Sequence, residues 1–346
     1  MNPLRRLKEL LRAEFQHEIP AHVGRRHLLG GLALFLLALQ IVSGILLMIY
    51  YRPSPDEAYE SVRYVMNDVR LGWLVRGLHY WGAHLLIVVL LLHLVRVYVL
   101  GAYREREFNW AVGLLLFLLV GAFAFTGMLL AWDQTAYWNT DAVRNALEHL
   151  PMAGKSILDL LWGGHELETG ALLRFYIFHV GLLPWLMIIL IAAHLYLVNR
   201  QGLYHPAPSL PTRSLPASGE GQGGGEGRSA PTRTYYDMLL EGLFLALLTF
   251  GGLLTLAVLF TPALGEQMDL LQYAPVQVPW YFLPALGFFR LVSPDLGVWL
   301  AGLGLLGLFL VPFLRMRWMA LSLGALAVLG LLALAALGYL SQGGLR

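Results

Sequence analysis

The sequence predicts an all-α polytopic membrane protein with seven transmembrane helices. Of the 346 residues, 58% are hydrophobic and only 13% charged, against about 25% charged in a soluble domain. Seven apolar runs, at 28–51, 74–100, 110–131, 172–198, 237–260, 297–314 and 318–340, reach the ~20 residues a helix needs to cross a bilayer. Lys and Arg also gather on alternate connections, as they do in chains that weave back and forth through a membrane.

Residues Leu4 to Phe15, with Arg5, Arg6, Lys8 and Arg12, read as an amphipathic helix at the interface. No cleavable leader is read, because the first apolar run, from Leu28, is itself long enough to span. Two long connections, 132–171 and 261–296, fall on one side of the membrane, and connections of that length usually carry function. From Pro206 to Thr234 the chain turns to Pro, Gly and Ser, including Gly223-Gly224-Gly225, which predicts a flexible linker. The expected organisation is 1–205, a four-helix part; 206–234, the linker; and 235–346, a three-helix part. No repeat relates the two parts. The N-terminus, the second–third loop with Arg96, the linker and the sixth–seventh loop carry 15 of the 24 Lys and Arg. The N-terminus is therefore expected in the cytoplasm, and the two long connections outside, in a bacterial cytoplasmic membrane.

The net charge of +2 is spread over helix ends, which predicts no nucleic-acid partner. The absence of cysteine excludes disulfides, thiolate metal sites, iron–sulfur ligation and thioether haem attachment within the chain. Any metal must rest on histidine or carboxylate.

Four histidines lie in pairs on two apolar runs. His79 and His93 are 14 residues apart, and His179 and His194 are 15 apart. At 100° per residue the first spacing falls about 40° short of four turns and the second overshoots by about 60°, so each pair shares nearly one face, with a rise of roughly 21 Å. One antiparallel helix separates the two runs. They share a direction, and their histidines match in depth. A single histidine in an apolar helix usually satisfies the core or lines a pore, but four at matched depth point to function. Zinc is poorly served by two histidines per depth with no carboxylate nearby. A haem needs only two axial imidazoles, and bis-histidine ligation leaves no open position, which means electron transfer. His84, nine residues before His93, faces the opposite side and is not expected to be a ligand. His17, His22, His27, His149, His165 and His205 fall outside the spans, with His205 a candidate neighbour of a cytoplasmic quinone.

Gly30 and Gly44 in the first span, and Gly113 and Gly127 in the third, repeat the 14-residue spacing. They suit close approach of a flat macrocycle, or else helix–helix packing. Arg76 and Arg96 are placed to pair with haem propionates, or to snorkel to the interface.

Taken together these residues resemble the cytochrome b subunit of quinol-oxidising cytochrome bc complexes, from about Ile19 to Arg317. The motifs that carry the resemblance are Arg76-x-x-His79, His93-x-x-Arg96, the glycine pairs, Trp132-Asp133-Gln134, Leu161-Trp162-Gly163-Gly164, Arg174-Phe175-Tyr176-x-x-His179 and Trp280-Tyr281-Phe282. The 15-residue spacing and the seven spans look like the plastid and Gram-positive type with its three-helix partner subunit fused on, whereas the mitochondrial type has eight helices. The resemblance implies a four-helix di-haem bundle joined to a three-helix C-terminal domain. It implies two non-covalent b-type haems, the outer on His79 and His179 and the inner on His93 and His194. It also implies a quinol–cytochrome c oxidoreductase complex. Quinol would be oxidised outside, near Trp280, Tyr281 and Asp133. One electron would pass to a Rieske iron–sulfur protein and on to a c-type cytochrome, and the other across the two haems to quinone inside. Protons released outside would build a proton-motive force, and the complex would be a homodimer. Asp237 matches a family acidic residue near the inner quinone site, or is a first-turn helix cap; Asn199 and Arg200 are candidates for the same pocket.

Two departures matter. Where the family's outer motif reads Pro-Glu-Trp-Tyr, this chain has Val278-Pro279-Trp280-Tyr281. The carboxylate that would take a quinol proton is missing, which leaves water, Tyr281, Asp133, Glu266 or Asp269. Leu28 stands where the plastid type attaches a third haem through cysteine, so two haems are expected. A di-haem anchor of a quinone-linked dehydrogenase needs neither the Trp280-Tyr281-Phe282 segment nor the last three spans, and a histidine-lined transporter needs no pigment. The purified chain is expected to show a reduced haem α-band in the visible; a colourless protein refutes the haem reading.

Overall fold

A computed structural model describes residues 28–150, 154–163, 169–202, 234–314 and 317–342. The expected interfacial helix at 4–15, the linker up to residue 233, and His17, His22, His27, His165 and His205 lie outside them. The described residues form helices α1 (Leu28–Met48), α2 (Ala58–Asn67), α3 (Gly72–Leu100), α4 (Glu107–Leu129), α5 (Gln134–Glu148), α6 (Gly154–Leu161), α7 (Thr169–Ile177), α8 (Leu183–Gln201), α9 (Tyr235–Leu259), α10 (Leu283–Leu291), α11 (Pro294–Leu310) and α12 (Arg317–Gln342). A π turn at Phe178–Leu182 joins α7 to α8 without a break. Seven helices are long and apolar enough to span: α1, α3, α4, the α7–α8 run, α9, α11 and α12. The chain is an all-α, multi-pass integral membrane protein.

The spans end within a few residues of where hydropathy places them, and local chemistry accounts for the differences. The first stops at Met48, and Tyr50 and Tyr51 follow in a turn. The second starts early, at Gly72, where Leu71 takes φ 63° and a side chain at residue 72 would run into the Val65 carbonyl. It ends on Gly101 at φ 73°, a left-handed position that suits glycine. The long connections are not structureless, since amphipathic helices α5 and α6 fill the first and α10 the second.

Large apolar side chains face outward along the spans: Phe244 is 70% exposed and Leu329 64%. In a membrane protein that outside is lipid, so helices can be apolar all round. The shared core lies between α1, α3, α4, α8 and α9, where Leu36, Leu86, Val120, Leu183, Met187 and Leu253 are buried together. A second buried cluster, with Trp132, Trp162, Leu172 and Phe175, packs the first long connection onto one end of that bundle.

The last three spans are distributed rather than bundled. Helix α9 packs on α3 and α1, α12 on α10, and α11 on α5 and α4. Small residues set these approaches. A Cβ at Gly77 would lie 2.9 Å from the Ala257 Cβ of α9. One at Gly287 would meet the Leu334 carbonyl and lie 3.0 Å from the Gly338 nitrogen of α12. Gly287→Ala is therefore expected to force α10 off α12 at a cost of about 1–3 kcal/mol. This is read as a lower midpoint of thermal unfolding in detergent; an unchanged midpoint contradicts the contact.

Candidate functional site

His79 and His93 project from α3, and His179 and His194 from the α7–α8 run. The π turn contains His179 and lies just before Pro184, which has no N–H to continue the α ladder. A π turn takes up one extra residue and so removes about 100° from the count. Fifteen residues through it turn as far as 14 in α3, and both pairs reach the same register.

The four glycines each face one of these rings. A Cβ at Gly44 would lie 3.3 Å from His79 Cε1, and one at Gly127 only 2.7 Å from His179 Cε1. Gly30 and Gly113 face Cε1 of His93 and of His194, each at 3.6 Å. The space left by each glycine is thus occupied by an imidazole edge rather than by a neighbouring helix.

Hydroxyls reinforce the His79–His179 pair. Ser43 Oγ donates to the Leu39 carbonyl at 2.7 Å and lies 2.9 Å from His79 Nδ1. Thr126 Oγ1 donates to the Ala122 carbonyl at 2.8 Å and lies 3.0 Å from His179 Nδ1. Each hydroxyl has spent its one proton, so it accepts from Nδ1–H. That fixes the tautomer and leaves Nε2 with its lone pair for a ligand. The sequence signal was available: a hydroxyl residue precedes each outer glycine, whereas Leu29 and Val112 precede the inner ones.

The His79 and His179 ring centres are 6.4 Å apart. Two imidazole–metal bonds of about 2 Å, with ~1.1 Å from each ring centre to its nitrogen, ask for about 6.2 Å. His93 and His194 stand further along the same two helical runs, 14 and 15 residues on. Among the described residues no group of three or more His, Asp or Glu is arranged to hold a bare ion. The donor set suits a metal that brings its own equatorial ligands.

The Cytochrome b/b6/petB family model matches residues 15–202. The chain belongs to the cytochrome b/b6 family. It is 36% identical over 189 residues to cytochrome b6 of Acaryochloris marina (strain MBIC 11017), covering 54% of this chain and 88% of that protein. It is 37% identical over 189 residues to cytochrome b6 of Mastigocladus laminosus, with the same coverage of 54% and 88%. The fold of nearly the whole chain is similar to a chain of a hyperthermophilic respiratory Complex III, with TM-score 0.77, 23% identity and 98% of both chains covered. As a cytochrome b, the chain is a transmembrane electron-transfer subunit of the b-haem-binding kind.

The remaining candidate residues are placed as follows. Arg76 donates to the carbonyls of Pro262, at 2.6 Å, and Ala263, at 3.4 Å, and so anchors the second long connection to α3. Arg96 lies one turn after His93 and contributes positive charge there. Asp133 caps α5: one oxygen accepts from the Ala136 N–H at 2.8 Å and the other from the Gly265 N–H at 3.0 Å. Its neighbour Trp132 is buried at φ 49°, an uncommon backbone for a bulky residue. Asp237 forms a capping box with Thr234, accepting from the Thr234 N–H at 2.8 Å. Asn199 and Arg200 are exposed at the end of α8, with Arg200 5.9 Å over the Tyr196 ring.

Sequence reasoning passed over the residues that hold the second connection in place. Gln134 bonds Asp269 in both directions, at 3.0 and 2.7 Å, and Asn139 bonds Gln277 in both directions, at 2.7 and 2.8 Å. Arg106 caps the last carbonyls of α8, Gly202 at 2.9 Å and Gln201 at 3.2 Å. The double variant Ser43→Ala/Thr126→Val is expected to weaken haem retention at the outer pair by about 10–100-fold and to spare the inner pair. Redox difference spectra during detergent titration check this; equal loss at both pairs counts against it.

Proposed function

We propose that this cytochrome b is the quinol-oxidising subunit of a bc-type complex in a bacterial cytoplasmic membrane, with its N-terminus inside. The observation that carries the reading is the His79–His179 pair, 6.4 Å apart with both Nδ1 atoms held by hydroxyls. His79 and His179 hold an outer haem, and His93 and His194 an inner one. Gly30, Gly44, Gly113 and Gly127 give room, and Arg96 supplies positive charge beside the inner haem. Bound in these positions, the haems supply one-electron transfer. The chain's own residues keep both imidazoles of the outer pair in one tautomer, exclude water with the Leu36–Leu183 core, and fix the separation between pairs.

Quinol is oxidised on the outer side beside Trp280 and Tyr281, where Asp133 holds the two long connections together. One electron leaves for a Rieske iron–sulfur protein and on to a c-type cytochrome. The other crosses the membrane to quinone at an inner site bounded by Asp237, Asn199 and Arg200. Protons released outside contribute to the proton-motive force. The working complex is a homodimer. The chain divides at 206–234 into a di-haem part and a part carrying the outer quinol segment.

His93→Ala is expected to abolish the inner haem's redox transition and to retain part of the outer one. A titration with both transitions intact refutes the assignment. With the inner site inhibited, reduction of the haems by quinol should require an oxidised iron–sulfur partner. Reduction without that partner favours a simple di-haem anchor.

A further inference from the structure

The missing motif carboxylate leaves the outer quinol site without a base, and most candidate replacements on the loops are already engaged. Both oxygens of Asp133 accept backbone N–H groups. Those of Asp269 accept from the Leu271 N–H at 2.9 Å and from Gln272 Nε2 at 3.0 Å. Burial, and then nearby Tyr80, push the Tyr281 phenol up from its ordinary value, so Tyr281 keeps its proton and serves as a donor. Glu266 is exposed on the loop.

His84 stands where these groups do not. It lies five residues after His79, about 140° round the helix, on the face turned away from the paired histidines. Its ring is 5.3 Å from that of Tyr281, and its Nδ1 receives the indole N–H of Trp280 at 3.0 Å. The Trp280-Tyr281 turn thus closes directly on this imidazole. The titratable groups facing it are Tyr80, 4.6 Å away on its own helix, and Tyr281 on the loop; Trp81 lies at 5.6 Å. The ring is half-buried and Trp280 is 41% exposed, so the pair can be reached from outside the bundle.

We propose that His84 is the base that takes a quinol proton at the outer site, in place of the absent carboxylate; this rests on the quinol-oxidising reading above. An indole N–H can only donate, so Nδ1 carries the lone pair and Nε2 the proton. A quinol hydroxyl is also a donor and competes with Trp280 for that lone pair. Once it holds Nδ1, the O–H bond breaks as one electron leaves for the iron–sulfur oxidant. The proton passes to Nδ1, Nε2 keeps its own, and the substrate is one proton and one electron poorer. The imidazolium then gives one proton to water on the outer side, which restores the neutral ring.

The test is the rate of quinol-driven haem reduction in the whole complex, with the inner site inhibited and an oxidised iron–sulfur partner present, across about pH 5–8, where histidine changes charge. A base must be unprotonated, so the wild-type rate is expected to rise with pH and level off. His84→Gln should be about 100-fold slower, should lose the pH step, and should keep both haem spectra. His84→Glu should recover part of the rate with the step moved to lower pH. A His84→Gln rate and pH profile equal to wild type overturns the proposal. Should that variant lose a haem, the wild-type profile decides, and a flat one overturns it. If wild type shows no quinol-driven reduction at any pH, the quinol-oxidising reading itself falls; if only the variant's slowing is absent, that reading stands and the role of His84 does not.

Discussion

Everything in this bundle depends on bringing imidazoles of two parallel helices opposite each other at one depth. An imidazole cannot reach across unless the helix behind it yields space, and glycine yields it. Gly44 and Gly127 let the rings of His79 and His179 lie against bare backbone. The hydroxyls of Ser43 and Thr126 then hold Nδ1. Without those partners the ring would be free to turn and its proton free to sit on the wrong nitrogen. With them, one nitrogen of each ring is committed and the other is presented. Helices α1 and α4 therefore do more than fill the bundle, because they set the chemistry of rings carried by α3 and by the π turn before α8.

The second constraint is a stretch of chain with no ladder of its own. Between the end of α9 and the turn at Trp280, the backbone still needs hydrogen-bond partners. Arg76, Trp81, Asp133, Gln134 and Asn139 supply them from α3 and α5. These polar side chains fix where Trp280 and Tyr281 arrive. A turn held in this way can sit deep enough to touch His84, five residues after His79 on α3. His79 and the aromatic turn are thus positioned from one helix, by its opposite faces.

The spans and the histidine pairing were legible because both follow from local rules. Hydropathy needs only a run of side chains, and the angle between His79 and His93 needs only the helical repeat. The glycine spacing was legible for the same reason, and the Ser43-Gly44 and Thr126-Gly127 pairs could have been read with it. The role of Asp133 was not. An acid at the start of a helix reads equally well as a cap or as a site residue, and only the position of Gly265, 132 residues away, shows where its second oxygen goes. His84 was read as facing away from the other four, but helical arithmetic says only where a ring does not point.

The sequence by itself determined the seven spans, the two faces that carry paired histidines and the matching spacing of the glycines. Each is a property of composition or period within one segment. Only the tertiary structure decided how a 15-residue spacing matches a 14-residue one, through the π turn before Pro184. It alone placed α9 on α3 and α12 on α10, and seated Trp280 on His84. Those outcomes depend on which distant backbone groups are left to be satisfied and which small residues let helices close, and neither is encoded within any one segment.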